Sequence, residues 1–232
     1  FSMTLTALIL VAFTAGAQTT WVEDFDSYAP GALVAQSDWE FWNYNSLYEA
    51  FVVAGPARSL PHSVEILGGA SDVLAVLSGA TTGYWTISSW SFIPGNCTGE
   101  QWWILMNTYD VPAGLANWSC QVFLDPLNGL VRDYDSAATL PLIVDQWVEV
   151  KAEIDLDNNL QTVYYNNQVL FTDSWTEHSS GGGQLQIACL DLWGGGLGGP
   201  DTSGFWDDIL IEGDYVVPTE QTSWGKVKSL FR

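Results

Sequence analysis

From Trp147 to Leu156 the chain alternates: Val148, Val150, Ala152, Ile154 and Leu156 are apolar, and Glu149, Lys151, Glu153 and Asp155 stand between them. A period of two lays one side of a strand against a core and leaves the other in water. Trp118, Cys120, Val122 and Leu124 alternate with Ser119, Gln121 and Phe123 in the same way. Shorter β-type runs occupy residues 47–53, 63–67, 73–77, 84–93, 101–109, 129–134, 161–165, 169–173, 184–192 and 204–212. Between them stand turn signals: Pro94-Gly95-Asn96, Pro126 to Gly129, Asp157-Asn158-Asn159, Asn166-Asn167 and the glycine-rich Gly194 to Pro200. Asn-Asn accepts positive φ at little cost, so YYNNQVLF reads as a tight hairpin. No helical stripe of apolar residues appears before the C-terminus. The pattern predicts an all-β antiparallel two-sheet sandwich of about 12–14 strands, because short turns without crossover helices exclude a parallel sheet.

The two ends depart from this pattern. Met3 to Ala17 is uncharged, has an apolar run from Leu5 to Phe13 and closes on Ala15-Gly16-Ala17. That run is shorter than the roughly 20 residues a membrane span needs, and small residues flank a natural cleavage point, so residues 1–17 read as a signal peptide cut before Gln18. Residues 18–213 then form the β domain and residues 214–232 a tail. In the tail, TEQTSWGKVKSLFR holds Lys226, Lys228 and Arg232, 3 of the 6 basic residues of the chain. Trp224, Val227, Leu230 and Phe231 fit a short amphipathic turn. The location implied is secreted, extracellular or at the cell surface, with no membrane insertion once the signal is removed.

Charge narrows the partners. With 27 acidic against 6 basic residues the net charge is −21, which repels phosphate backbones and anionic lipid headgroups; nucleic acid is excluded. Disorder is excluded too, since 47% of the residues are hydrophobic and 13 are Trp. Cys97, Cys120 and Cys189 are odd in number and lack zinc spacing.

Several segments carry a resemblance. WVEDFDSYAPGALVAQSDWEFW (Trp21 to Trp42), GYWTISSWSFIP, ILMNTYD and NWSCQVFLD resemble the concanavalin-like, LamG-like jelly roll of secreted bacterial domains. So do QWVEVKAEIDLDNNLQTVYYNNQVLF (Gln146 to Phe171), LQIACLDLW and FWDDILIEG. The tail resembles the short W-G-x-[VI]-K endings of some secreted bacterial proteins, which implies sorting or surface attachment. The fold hosts lectins, adhesion modules, hydrolases and lyases, so resemblance alone gives no activity.

Three chemistries follow. Glu153, Asp155 and Asp157 resemble the E-x-D-x-E strand of laminarinase-type hydrolases, in which the first Glu attacks the sugar and the last donates a proton. Residues four apart on a strand are about 13 Å apart, against the roughly 5–5.5 Å of a retaining pair, and Lys151 shares their face. The bland alternative is a solvated acidic strand face. In carbohydrate-binding jelly rolls, resemblance implies a structural Ca²⁺ held where first and last strands meet, with Glu23, Asp26 and Asp208 as ligands of the right hardness. The third chemistry is glycan binding. The Trp surplus exceeds what one core readily hides, and indoles stack on pyranose rings while amides and carboxylates take hydroxyls. Alternation places Trp103, Asn107 and Tyr109 on one face, Gln121 on the wet face of its strand, and Asp191 with Trp193. His62 and His178 lie in polar loops and read as surface residues. The leading expectation is a non-catalytic module binding a polysaccharide or cell-surface glycan; a glycan-cleaving enzyme and a structural matrix or envelope component are the alternatives.

Overall fold

The computed structural model describes residues 17–215, Pro112 excepted. The expected signal peptide and most of the basic tail lie outside these residues. In chain order the strands are β1 (Ala17–Glu23), β2 (Gly31–Ala32), β3 (Glu40–Phe41), β4 (Phe51–Val53), β5 (Ser63–Leu67), β6 (Asp72–Val76), β7 (Tyr84–Phe92) and β8 (Glu100–Asp110). There follow β9 (Leu115–Asp125), β10 (Leu130–Asp133), β11 (Thr139–Pro141), β12 (Trp147–Asp155), β13 (Leu160–Tyr165), β14 (Gln168–Ser174), β15 (Cys189–Gly195) and β16 (Ser203–Tyr215). Four of these, β2, β3, β4 and β11, have only two or three residues. The other strands follow the expected segments closely, except that β1 matches none of them and begins at Ala17, the last residue of the expected signal peptide, and that residues 184–188 precede the strand expected at 184–192.

All pairings among the described residues are antiparallel, in two sheets packed as a sandwich. One sheet has the order β14-β13-β12-β7-β16-β5-β4-β2, with β1 also paired to β16; the other has the order β11-β10-β9-β8-β15-β6-β3. The first and last strands are neighbours, Glu23 lying opposite Ile209. At the β13–β14 turn Asn166 and Asn167 both take positive φ, 49° and 58°, as the mirror-image hairpin turn requires.

The core lies between the sheets. β12 contributes Val148, Val150, Ala152 and Ile154 from one side. Trp103, Leu105, Val122 and Leu192 face them from the other. Trp103 is fully buried and its Nε1 donates to Ser89 Oγ at 2.9 Å. The three cysteines are free and buried.

The sheets differ on their outer faces. β12 alternates cleanly, so Glu149, Lys151 and Glu153 cover the nine-stranded sheet with polar groups. β8 and β15 do not alternate: nearly all of their residues are buried, on both sides. The outer face of the seven-stranded sheet therefore carries a second apolar cluster, Leu74, Trp102, Ile104, Met106 and Cys189, with Trp42, Trp118 and Trp193 packed against it.

The two faces of the seven-stranded sheet predict different mutational costs, with Trp103 of β8 on the inner face and Trp193 of β15 on the outer one. Trp103→Ala should destabilise the domain by about 3–5 kcal/mol in denaturant unfolding, since it opens a closed core site. Trp193→Ala, half-buried outside, should cost only the lost ring contacts, about 0.5–1.5 kcal/mol. Equal losses would contradict the core and surface assignment.

Candidate binding groove on the seven-stranded sheet

The outer face is built from adjacent strands in register. Asp191 on β15 lies between Leu74 of β6 and Ile104 of β8, and Trp193 lies between Asp72 and Trp102. Ile104 in turn pairs with Gln121 of β9. Trp42 reaches this face from the short 3-10 turn Trp42–Tyr44 that follows β3. Together Trp42, Asp72, Ile104, Trp118, Gln121, Asp191 and Trp193 line an open cavity of about 210 Å³. Around it the rings support one another. Trp42 stands 5.3 Å from Tyr109 and 6.0 Å from Trp118, and Trp102 lies 5.2 Å from Trp193 and stacks on Phe123 at 4.5 Å.

Two carboxyls sit among these rings. Asp72 and Asp191 share a hydrogen bond, and Asp191 is 3% exposed. Burial pushes Asp72 up to about 7. Burial raises Asp191 further, and the neighbouring Asp72 charge and hydrogen bond add to it. Two carboxyls in such contact cannot both ionise at neutral pH, so the pair retains a proton. Asp72 Oδ1 and Asp191 Oδ1 have no hydrogen-bond partner among the described residues.

A loop forms one wall. Ser180 N donates to the Trp118 carbonyl and Ser180 Oγ accepts from Trp118 N; Gln121 Nε2 donates to Ser179 Oγ at 2.8 Å. Asn107 Nδ2 donates to the Gly182 carbonyl at 3.2 Å, and Asn107 Oδ1 accepts from Gln184 N. Gly183 is required there, because φ is +85° and a Cβ would collide with Asn107 Oδ1. His178 anchors the loop: Nε2 lies 3.0 Å from Asp133, Nδ1 lies 3.0 Å from Asp173, and the ring stacks on Phe171 at 4.3 Å. Its side chain is 4% exposed. Hydrogen bonding to Asp133 foremost, then to Asp173, raises His178 to about 8 against the opposing effect of burial.

The structure gathers Gln121, Asp191 and Trp193 of the expected patch around this cavity and puts Tyr109 beside it, its hydroxyl accepting from Asn43 N at 3.1 Å. It removes the other two. Trp103 points into the core and Asn107 is buried as the loop anchor. The reason is an irregularity of register in β8 around Met106, which shifts the phase so that Trp103 and Tyr109 face opposite ways. His178 is likewise corrected from a surface residue to a buried one. Trp42, Trp118 and Asp72 were missed: Trp42 belongs to no recognisable strand, and Asp72 stands just ahead of the expected strand 73–77.

The expected metal ligands stay apart. Both oxygens of Glu23 are taken, by Phe25 N and by Tyr28 Oη at 2.8 Å, and burial raises its pKa. Asp26 accepts from His62 N, and Asp208, turned out at an irregularity of β16, pairs with Arg58. Among the described residues the one group of three with metal-ligand atoms within 4.8 Å of each other is Asp133, Asp135 and His178. Both nitrogens of that histidine already face carboxylates. Glu23 instead lines a smaller cavity of about 90 Å³ with Trp21, Tyr28, Trp39 and Trp85.

The acids on and just after β12 have local partners. Glu153 binds Lys151 Nζ at 2.8 Å and Tyr164 Oη at 2.9 Å, and its pKa is lowered, by Lys151 first. Asp155 accepts from Asn158 in the turn that follows, and Asp157 accepts from Gly83 N at 2.9 Å.

The sequence matches no family model and no curated protein. Solved structures align with the chain at low identity. A sialidase aligns at 10% identity and a TM-score of 0.54, over 83% of this chain and 18% of its own. A Trypanosoma rangeli sialidase aligns at 13% identity and 0.47, over 78% of this chain and 29% of its own. A cellulose induced protein aligns at 12% identity and 0.46, over 70% of this chain and 84% of its own. This chain thus spans under a third of the length of either sialidase.

Protons held in the native state set a pH dependence. His178 is raised, so its contribution, about 2 kcal/mol for a rise of this size, is full below its unfolded value of 6.5 and lost as pH rises through about 8. The Asp72–Asp191 pair has the same sign from lower down: its contribution is full below 3.8 and lost as pH rises through about 7. The thermal midpoint should therefore fall from pH 5 to pH 9. Asp191→Asn should flatten the part below pH 7 and His178→Gln the part above; a midpoint that rises across this range would contradict both assignments.

Proposed function

We propose that this chain is a secreted, non-catalytic carbohydrate-binding module whose ligand lies across the groove of Trp42, Trp118 and Trp193. The observation that carries the reading is the outward placement of these indoles on a rigid sheet, next to buried polar groups with free acceptor atoms. Indole faces supply flat apolar contact for a pyranose ring, and Gln121, Asp72 and Asp191 supply donors and acceptors for its hydroxyls. The cavity is open, and its walls are fixed by the loop hydrogen bonds to Trp118, Gln121 and Asn107, so little ordering is needed on binding.

The arrangement of the acids supports a binding rather than a hydrolytic role. Glycosidases keep their two carboxyls about 5–5.5 Å apart for retention or about 6.5–9.5 Å apart for inversion. Asp72 and Asp191 instead couple directly to one another and share a proton. The β12 acids are paired or bound in turns on the polar sheet face. The sialidase likeness bears on the fold, and this reading takes no residue or activity from it.

Retention on insoluble polysaccharides, or on a glycan array, tests the proposal. Trp118→Ala and Trp193→Ala should each weaken retention about tenfold or more, in line with losses of about 1.4 kcal/mol per stacked ring. Trp90→Ala, on the other sheet, should leave it unchanged. Retention that survives both groove substitutions would overturn the reading.

A further inference from the structure

The groove is acidic throughout. Its lining holds two carboxyls and no Lys, Arg or His. Glu40 of β3, opposite Leu74, adds a third acid to the same face. The three Lys and Arg side chains of the described residues are paired elsewhere, Arg58 with Asp208, Arg132 with Asp125 and Lys151 with Glu153, and His178 lies between Asp133 and Asp173. The indole faces around the acids are themselves the negative side of a ring quadrupole, so they too favour positive charge. Asp191 is the decisive group, since it is nearly sealed from water, lines the cavity and keeps Oδ1 unpartnered. An unpaired buried carboxyl oxygen is costly, and a donor entering from the groove removes that cost.

We propose that the groove selects glycans built from amino sugars with a free ammonium group, the ammonium seated on the Asp72–Asp191 carboxyls and the pyranose ring flat against the indoles. This rests on the glycan-binding reading above and names its ligand class. The ammonium brings three N–H donors, which suit Asp72 Oδ1 and Asp191 Oδ1, and displaces the proton the pair shares into solvent. An anionic sugar brings no ammonium donors to the Asp72 and Asp191 oxygens and meets a third carboxyl, Glu40, on the same face. A divalent metal is a poorer fit, because such ions take six or more oxygens and indoles occupy the remaining walls. The other groups facing the pair are neutral: Ile104 from β8, Gln121 from β9 and the Cys189 thiol, which burial raises well above its usual value.

Isothermal titration calorimetry of the full chain at pH 6.0 with glucosamine, N-acetylglucosamine and glucose β-1,4-hexasaccharides tests the proposal. The glucosamine oligomer should bind at least about tenfold more tightly than the other two, an advantage of about 1.4 kcal/mol. Asp72→Asn and Asp191→Asn, which keep shape and remove charge, should each cut that preference severalfold and leave the glucose oligomer unaffected. Trp118→Ala should weaken all three ligands. Equal binding of neutral and amino oligomers, lost in Trp118→Ala, would overturn this proposal and leave the glycan-binding reading standing; no binding by any oligomer would overturn both. A preference that persists in both Asn variants would trace it to the overall charge and overturn the assignment to this pair. Calcium that raises the melting temperature of the unaltered chain and not of Asp191→Asn would replace the proposal with a metal site.

Discussion

A sheet whose central strands are apolar on both faces has to bury both, and only one of them can meet the sandwich core. That constraint shapes this molecule. β8 and β15 give Trp103, Leu105 and Leu192 to the core and Trp102, Ile104 and Cys189 to the outside. The outer set is shielded by what the chain lays over it: Trp42 from the turn after β3, Trp118 from β9 and the loop pinned by His178. Complete coverage would have made a third layer. The cover is partial, and its gap is the groove. Asp191 occupies the outer position of β15 between Cys189 and Trp193, with Leu74 and Ile104 beside it on the neighbouring strands.

The division between the two sheets follows from the same cause. β12 alternates strictly, so its outer acids meet water and settle into Lys151, Tyr164 and turn amides, which lower the pKa values of Glu153 and Asp155. Asp72 and Asp191 have apolar neighbours and each other, and their pKa values rise. Two acidic constellations of similar appearance in the sequence thus acquire opposite electrostatics from the faces they occupy. The second constellation alone combines aromatic walls with buried acceptor atoms.

Alternation made β12 and the Asn166-Asn167 hairpin legible, because a half-buried strand writes its burial in a period of two and a mirror-image turn needs residues tolerant of positive φ. It gave a misleading answer in β8, where WWILM is apolar without period. Such a run signals burial on both faces and carries no information on which side each residue takes. The irregularity near Met106 then changed phase between Trp103 and Tyr109, an event invisible without the partner strand. Asp191 and Trp193 were legible as a pair since they share a strand, but Asp72 was not, because its relation to Asp191 is a diagonal across β6 and β15. The burial of His178 was equally hidden, as Asp133 and Asp173 come from distant strands. The pairing of first and last strands was expected, yet Glu23, Asp26 and Asp208 each found nearer partners than one another.

The central claim is that the outer aromatic face, not the core or the cavity near Glu23, meets the ligand. Nuclear magnetic resonance of the tryptophan indole N–H groups during titration with a β-1,4-linked oligosaccharide tests it most directly. The account predicts shifts confined to Trp42, Trp118, Trp193 and the adjoining Trp102, with Trp103, Trp175 and Trp206 unmoved. Shifts at Trp21, Trp39 and Trp85 with the outer indoles unchanged would contradict it.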